Sequence, residues 1–478
     1  MEEKKKMVKE TVKEERTEEE LISSLMDKAR AAQKQIEFCT QEQVRELAAA
    51  IGWYAINNAQ RWAEFNFEET KMGDVKSKIA RTQARARGLM RDLNEAKTVG
   101  IIEELPEKCL VKIAKPVGVV GAMVPVTVPA GVVFIKTMNA LMGRNAIICS
   151  PHPRAKKTTN MVVGELRALV KRFGYPEDLI QCIEQPTMAL SKELMKQCDL
   201  IVATGGAGMV KSAYSSGTPA YGVGAGNVVT VVDETADLAD AAQKTVESQL
   251  NDLAIGCSTE NSLVIQKGVY QKILDELKKQ GAYLCSPEEK EKLQHTLWVD
   301  GHLNGDIICT TASNIAEKSG FTVPEGTTCI LVEETGYGKE FPFSGEKLSV
   351  VVTLYQYDTF EDAIELVNGI QAYSGAGHSC GIHSFDDDRI LEYALKTHTT
   401  RVGVRVAQGK ANAGNWNNGM PFTISLGCGT WGGNIASENI TWKHYINTTW
   451  VIREIPNFKV PTDEELFGNV MEDKRVLG

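Results

Sequence analysis

The stretch Pro116-Val117-Gly118-Val119-Val120-Gly121-Ala122-Met123-Val124-Pro125-Val126-Thr127-Val128-Pro129-Ala130-Gly131-Val132-Val133-Phe134-Ile135 holds no charge, although Lys115 and Lys136 flank it. Twenty such residues are long enough to span a bilayer. Pro125, Pro129 and three glycines interrupt the stretch and argue against one continuous helix. The pattern predicts a buried strand over 117–124, a turn, and a helix with Pro129 in its first turn. A strand that is apolar at nearly every position is covered on both faces, as in a parallel sheet.

The same grammar continues downstream. Short apolar strands are predicted at 146–149, 180–183, 200–203 and 228–232, between helices at 155–173, 188–197 and 209–215. This alternation means βαβ units. A second α/β series starts near Asp233. Its strands are predicted at 262–265, 328–332, 349–355 and 380–383, and its helices at 238–250, 269–280, 360–367 and 387–396. The glycine-dense stretch 403–433 reads as loop. Residues 442–453 alternate β-branched and aromatic side chains, the pattern of a lone strand that pairs with another subunit.

Upstream the chain is helical. Thr17 with Glu20, and Thr40 with Gln43, write two capping boxes. A third helix, rich in Lys, Arg and Ala, covers about 74–95. Residues 1–16 read as a charged tail. Fourteen of the first 20 residues are charged, which is not the pattern of a signal peptide.

Composition narrows the function classes. The 478 residues carry 53 Lys plus Arg against 62 Asp plus Glu, a net charge of −9. That balance offers no general attraction to nucleic acid or to an anionic membrane. The 11 cysteines are scattered with no C-x-x-C pair. Free, mostly buried thiols in a cytoplasmic protein are expected. No His pair has metal-ligand spacing, so no metal site is expected. His152, His378 and His383 fall near strand ends, and His444 on the last strand.

Three segments could carry chemistry. Ala203-Thr204-Gly205-Gly206-Ala207-Gly208 joins a strand to a helix, where glycines let a phosphate-bearing ligand reach the backbone. It does not match G-x-G-x-x-G, and a plain tight turn is the alternative. Gly222-Val223-Gly224-Ala225-Gly226-Asn227 follows 14 residues after the end of the first loop's glycines and strengthens the nucleotide reading. Cys257 lies in a Gly-flanked turn that could expose a reactive thiol; a small buried hydrophobe is the plain alternative. Cys428, also in a glycine-rich loop, is not separated from it by these arguments. Arg401, Arg405 and Lys410 form a basic run, either a solvated face or an anion pocket.

Several stretches together resemble the coenzyme A-acylating aldehyde dehydrogenases over about residues 20–455. They include Lys115-Pro116-Val117-Gly118-Val119-Val120, Ser150-Pro151-His152-Pro153-Arg154-Ala155-Lys156, Ala203-Thr204-Gly205-Gly206, Glu346-Lys347-Leu348-Ser349 and Leu426-Gly427-Cys428-Gly429-Thr430-Trp431-Gly432-Gly433-Asn434. Asn417-Asn418-Gly419-Met420-Pro421-Phe422-Thr423 and the segment 440–447 most resemble the acylating sulfoacetaldehyde dehydrogenases.

The resemblance implies an aldehyde dehydrogenase-like α/β fold. A Rossmann-type cofactor domain over 17–232, with 433–440 returning to it, would join a catalytic domain over 233–432 and an oligomerisation strand over 441–456. It implies Cys257 as nucleophile, NAD or NADP as hydride acceptor, and coenzyme A as acyl acceptor. The implied cofactor contacts are Pro125, Ser150, His152, Thr204, Gly205, Gly206 and Glu346. Gly224, Gly226, Asn227 and Arg405 are assigned to coenzyme A or substrate, with Arg405 as a sulfonate clamp. Two departures from hydrolytic relatives stand out. No acid follows the second glycine loop, which favours a thiol acceptor over water. Val128 stands where the family usually has an oxyanion-binding asparagine, leaving Thr127 or the Cys257 N–H for that work.

The expected partners are a small aldehyde and coenzyme A, in a homodimer or homotetramer, with sulfoacetaldehyde ahead of acetaldehyde or propanal. A nicotinamide-free Cys acyltransferase and a non-catalytic, shell-associated subunit are the competing readings.

Overall fold

A computed structural model describes residues 17–477. The charged tail over 1–16 lies outside the described residues. Both predicted capping boxes form: Thr17 and Thr40 accept from the N–H groups of Glu20 and Gln43, whose side chains accept in return. They open helices Glu18–Ile36 and Gln41–Thr70, and Asp74 caps the third helix, Val75–Glu95.

Two parallel sheets follow. The first has five strands in the order Ile180–Cys182, Ala146–Pro151, Val119–Val124, Leu200–Thr204 and Ala220–Val223. Val119–Val124 is buried at every position, and Pro129 opens helix Pro129–Met142 after a four-residue turn, as predicted. The chain runs outward from Val119–Val124 on one side, then returns to its other flank. That reversal opens a crevice at the carboxyl ends of the strands. Lys136 Nζ, buried under this edge, donates to Met123 O at 3.0 Å and Val202 O at 2.8 Å. It ties the two strands that border the crevice.

The second sheet has seven strands, all parallel: Tyr283–Leu284, Ile330–Glu333, Val351–Tyr357, Glu260–Gln266, Val228–Val232, Cys380–His383 and Val402–Val404. Val228–Val232 lies at its interior, hydrogen-bonded to Glu260–Gln266 and Cys380–His383. The domain boundary expected after 232 therefore falls earlier, between the end of Ala220–Val223 and the start of Val228–Val232. The return to the first domain also begins before 433, because Phe422, Leu426, Ile440 and Tyr445 all join its core.

The C-terminal strand, expected to stand alone, is shorter and paired. Ile446–Ile452 runs antiparallel to Leu110–Pro116, which pairs with Gly100–Leu105. Its residues 447–450 are exposed on the free edge. The glycine-dense stretch also holds strand Val402–Val404 and the short helix Gln408–Ala411. All 11 cysteines are free and six are buried. No described helix is long and apolar enough to cross a membrane.

Candidate active site

The carboxyl edge of the five-stranded sheet faces the amino edge of the seven-stranded sheet. Between them lies a cavity of about 550 Å³. Sheet direction decides which side chains reach it. Cys257 precedes strand Glu260–Gln266, Gly226 precedes Val228–Val232, His378 precedes Cys380–His383, and Glu346 precedes Val351–Tyr357. These four strands are neighbours, so residues from distant parts of the sequence converge at one edge.

Cys257 sits in the turn Gly256-Cys257-Ser258-Thr259, closed by Thr259 N–H donating to Gly256 O at 3.0 Å. Its Sγ lies 3.1 Å from His378 Nε2. Nδ1 of the same ring pairs with Ser379 Oγ at 2.8 Å. With Nδ1–H donating to that hydroxyl, Nε2 turns a lone pair toward the thiol. Arg401, buried, donates to His378 O and Gly427 O, both at 2.7 Å, and so fixes the loop that carries the imidazole.

Burial controls the charges. It pushes the Cys257 thiol up to about 12, helped by the nearby Glu346 carboxyl. Burial, with Arg401 close by, drags His378 down to about 3. The resting pair is therefore neutral thiol and neutral imidazole, and the proton moves only as the sulfur attacks. In a His378→Ala variant, which lacks that base, alkylation of Cys257 by iodoacetamide should then accelerate about tenfold per pH unit from pH 6 to 9, as the thiolate fraction rises. A rate level across that range in the variant would mean that the thiol is ionised without the imidazole.

Glu346 is the only carboxylate lining this cavity among the described residues. Burial raises it to about 8, and its Oε1 accepts from Gly226 N–H at 3.2 Å. A carboxyl kept protonated at neutral pH can both donate and accept, which suits the paired hydroxyls of a ribose. Pro125, Ser150, His152, Thr204, Gly205 and Gly206 all line the same cavity, as do Thr127, Val128 and Gly224. A Cβ added at Gly206 or Gly224 would meet nothing within 4 Å, so both backbones are open to a ligand. The open backbones along the first sheet therefore fit a dinucleotide, in the same cavity as Cys257. No cluster of metal-ligating side chains occurs among the described residues.

Three expected contacts fall elsewhere. A Cβ at Gly226 would overlap the Cys257 carbonyl oxygen, so this glycine lets two backbones meet rather than touching a ligand. Asn227 is buried and donates to Ser344 O and Ser374 O at 2.8 and 3.1 Å, bracing the loops around Glu346. Arg405 follows its strand instead of preceding it, and so lies at the far, carboxyl edge of the seven-stranded sheet. There it donates to Ser384 O at 2.6 Å and stacks over Phe385, with 4.3 Å to the ring centroid. Lys410 is paired with Glu247. Cys428 is buried outside the cavity lining, which separates it from Cys257.

His378 is the residue that sequence reasoning passed over. It lies 121 positions from Cys257, with no ligand-type spacing to mark it. The available signal was its glycine-rich setting, Gly375-Ala376-Gly377-His378, just before a strand.

The chain matches the aldehyde dehydrogenase family over residues 6–293. It is 43% identical over 460 residues to a sulfoacetaldehyde dehydrogenase of an Acholeplasma species, covering 95% of each chain. It is 41% identical to an acetylating succinate-semialdehyde dehydrogenase of Clostridium kluyveri, covering 94% of this chain and 99% of that one. An acetylating aldehyde dehydrogenase of Geobacillus thermoglucosidasius superposes with a TM-score of 0.90 at 36% identity, covering 93% of this chain and 98% of that one. With the family match spanning more than half of the chain and these relatives aligning along nearly all of it, the chain belongs to the aldehyde dehydrogenase family.

Proposed function

We propose that the chain is a coenzyme A-acylating dehydrogenase that converts sulfoacetaldehyde to sulfoacetyl-CoA with NAD⁺ or NADP⁺. The observation that carries the reaction type is the Cys257–His378 pair, 3.1 Å apart, whose sulfur lines a cavity where Glu346, raised by burial to about 8, is the one lining carboxyl among the described residues. The Acholeplasma sulfoacetaldehyde dehydrogenase named above, together with a 42% identical acylating sulfoacetaldehyde dehydrogenase of Bilophila wadsworthia, supports the substrate.

The steps follow from the residues. Cys257 Sγ adds to the aldehyde carbon while His378 Nε2 takes the thiol proton, giving a thiohemiacetal whose oxygen lies by the Cys257 N–H. Ser150, Gly205, Gly206 and Glu346 would hold a nicotinamide, which would supply the hydride acceptor. Loss of hydride leaves a thioester on Cys257. His378 passes the first proton to solvent as the hydride leaves. The thiol of coenzyme A then gives its proton to His378, its sulfur attacks the acyl carbon, and the displaced Cys257 sulfur takes that proton back from the imidazole. Splitting the transfer in this way replaces one hard step by two easier ones. Among the cavity-lining carboxyls, none is ionised at neutral pH to activate water, so hydrolysis of the thioester is disfavoured.

Val128 puts an isopropyl group at the start of helix Pro129–Met142, where it lines the cavity. Val128→Asn adds a second oxyanion donor beside the Cys257 N–H. It should raise kcat, by up to about 10²-fold if the donor reaches the oxygen. An unchanged or lower kcat would show that the oxyanion is stabilised at some other point.

The exposed edge of Ile446–Ile452 supports assembly into a homodimer or homotetramer through that strand. Incubating the purified chain with sulfoacetaldehyde, coenzyme A and each nicotinamide tests the activity. Equal amounts of reduced nicotinamide and sulfoacetyl-CoA are expected. Sustained release of sulfoacetate without coenzyme A would overturn the acylating assignment.

A further inference from the structure

A small pocket of about 40 Å³, room for a few atoms, adjoins the cavity that Cys257 lines. Arg81, Arg85, Thr127 and Val128 line both spaces, and Asn66, Thr82 and Phe134 close the inner one. Three cations of helix Val75–Glu95 gather here: Lys78, Arg81 and Arg85. They face one carboxylate, the buried Asp252. Its oxygens pair with Lys78 Nζ at 3.1 Å and with Arg81 at 2.7 Å, and one of them also accepts from Asp74 N–H at 2.8 Å. Asp252 is thereby occupied.

Arg85 is left over. It makes no hydrogen bond or ion pair among the described residues, and it is only half-exposed. Its desolvation lowers its pKa to about 9, so it remains a cation at neutral pH. A second donor in the same pocket is also unspent. Asn66 is 4% exposed, and its Nδ2 has no partner. A buried donor without an acceptor is costly, so Asn66, beside a guanidinium without a partner, calls for an anion or acceptor from outside.

We infer that Arg85, supported by Arg81 and Asn66, binds the anionic end of a short aldehyde and so presents its carbonyl carbon to Cys257. This rests on the acylating reading above and names the substrate class of that site: an aldehyde with a sulfonate or carboxylate a few bonds from the carbonyl. A guanidinium fork matches either oxyanion. The cradle takes the place expected for Arg405, which the direction of its strand carries to the opposite edge of the sheet.

The test compares sulfoacetaldehyde, succinate semialdehyde and propanal, each with coenzyme A and nicotinamide, in the wild type, Arg85→Gln and Arg85→Lys. Arg85→Gln should lower kcat/KM for the two anionic aldehydes about 10²-fold more than for propanal, mainly through KM. Arg85→Lys should recover part of that difference, because it keeps the charge and loses the fork. A sulfonate pocket favours sulfoacetaldehyde in the wild type; a carboxylate pocket favours succinate semialdehyde. Equal losses on all three aldehydes would overturn the inference and assign Arg85 to the oxyanion instead.

A binding measurement separates this inference from the acylating reading. Sulfoacetate carries the anion without a reactive carbonyl. It should slow alkylation of Cys257 in the wild type and lose that effect in Arg85→Gln. If sulfoacetate protects while no aldehyde is turned over, the acylating reading fails and the cradle stands. If propanal is acylated while neither sulfoacetate nor an anionic aldehyde is bound, the cradle fails and the acylating reading stands.

Discussion

Replacing Cys257 by alanine should abolish acyl-CoA formation, a loss on the order of 10⁴-fold or more in kcat. The expectation rests on geometry as much as on residue type. Of the chain's 11 thiols, this one lines the cavity, faces an imidazole and shares its pocket with the open glycine backbones. The variant should still bind nicotinamide, because Ser150, Gly205, Gly206 and Glu346 are untouched. Fluorescence titration with NADH separates the two effects. Full activity in Cys257→Ala would return the question to Cys428 or to chemistry without a thiol. Retained binding with lost turnover would also exclude the non-catalytic, shell-associated reading for the wild type, provided the wild type itself turns over.

His378→Ala carries the second-largest effect, about 10²–10⁴-fold in kcat, the usual range for a positioned general base. Its pH dependence is diagnostic. With the thiol held near 12, the wild type needs the imidazole to take the proton at neutral pH. Without it, attack depends on the small fraction of thiolate already formed. That fraction grows as pH rises, so the deficit of His378→Ala should shrink steadily between pH 7 and 10. A deficit of the same size at every pH would make His378 a positioning residue for the loop that Arg401 holds. The imidazole stays neutral in the wild type down to about pH 3, so its own titration does not confuse the comparison.

The sequence carried the architecture further than it carried the site. Val119–Val124 and Pro129–Met142 were legible because proline, glycine and unbroken apolarity are local signals, read without knowing what packs against them. The two capping boxes were legible for the same reason. The short strand Ala220–Val223 was not, because two glycines and a threonine–proline step surround it. The placement of Val228–Val232 was also hidden, since an apolar strand fits either parallel sheet and only pairing decides.

For the site, resemblance named Cys257 and seven candidate dinucleotide contacts, and all eight line one cavity. Arg405 failed for a geometric reason. Nearness to the glycine loop along the chain says nothing about which end of a strand a residue occupies. Arg85 was hidden differently: Lys78 and Arg81 of the same Lys-, Arg- and Ala-rich helix also turn inward, and only the lack of a carboxylate partner separates Arg85 from them. His378 needed the third dimension altogether, because no spacing rule joins residues that approach only when two strand starts lie side by side.

The central claim is that sulfur 257 carries the acyl group between hydride loss and coenzyme A. Trapping the enzyme with sulfoacetaldehyde and oxidised nicotinamide in the absence of coenzyme A, then mapping the peptides by mass spectrometry, tests it directly. The account predicts a sulfoacetyl group on Cys257 that disappears when coenzyme A is added. A sulfoacetyl group on another side chain, or none on an enzyme that has already produced reduced nicotinamide, would contradict it.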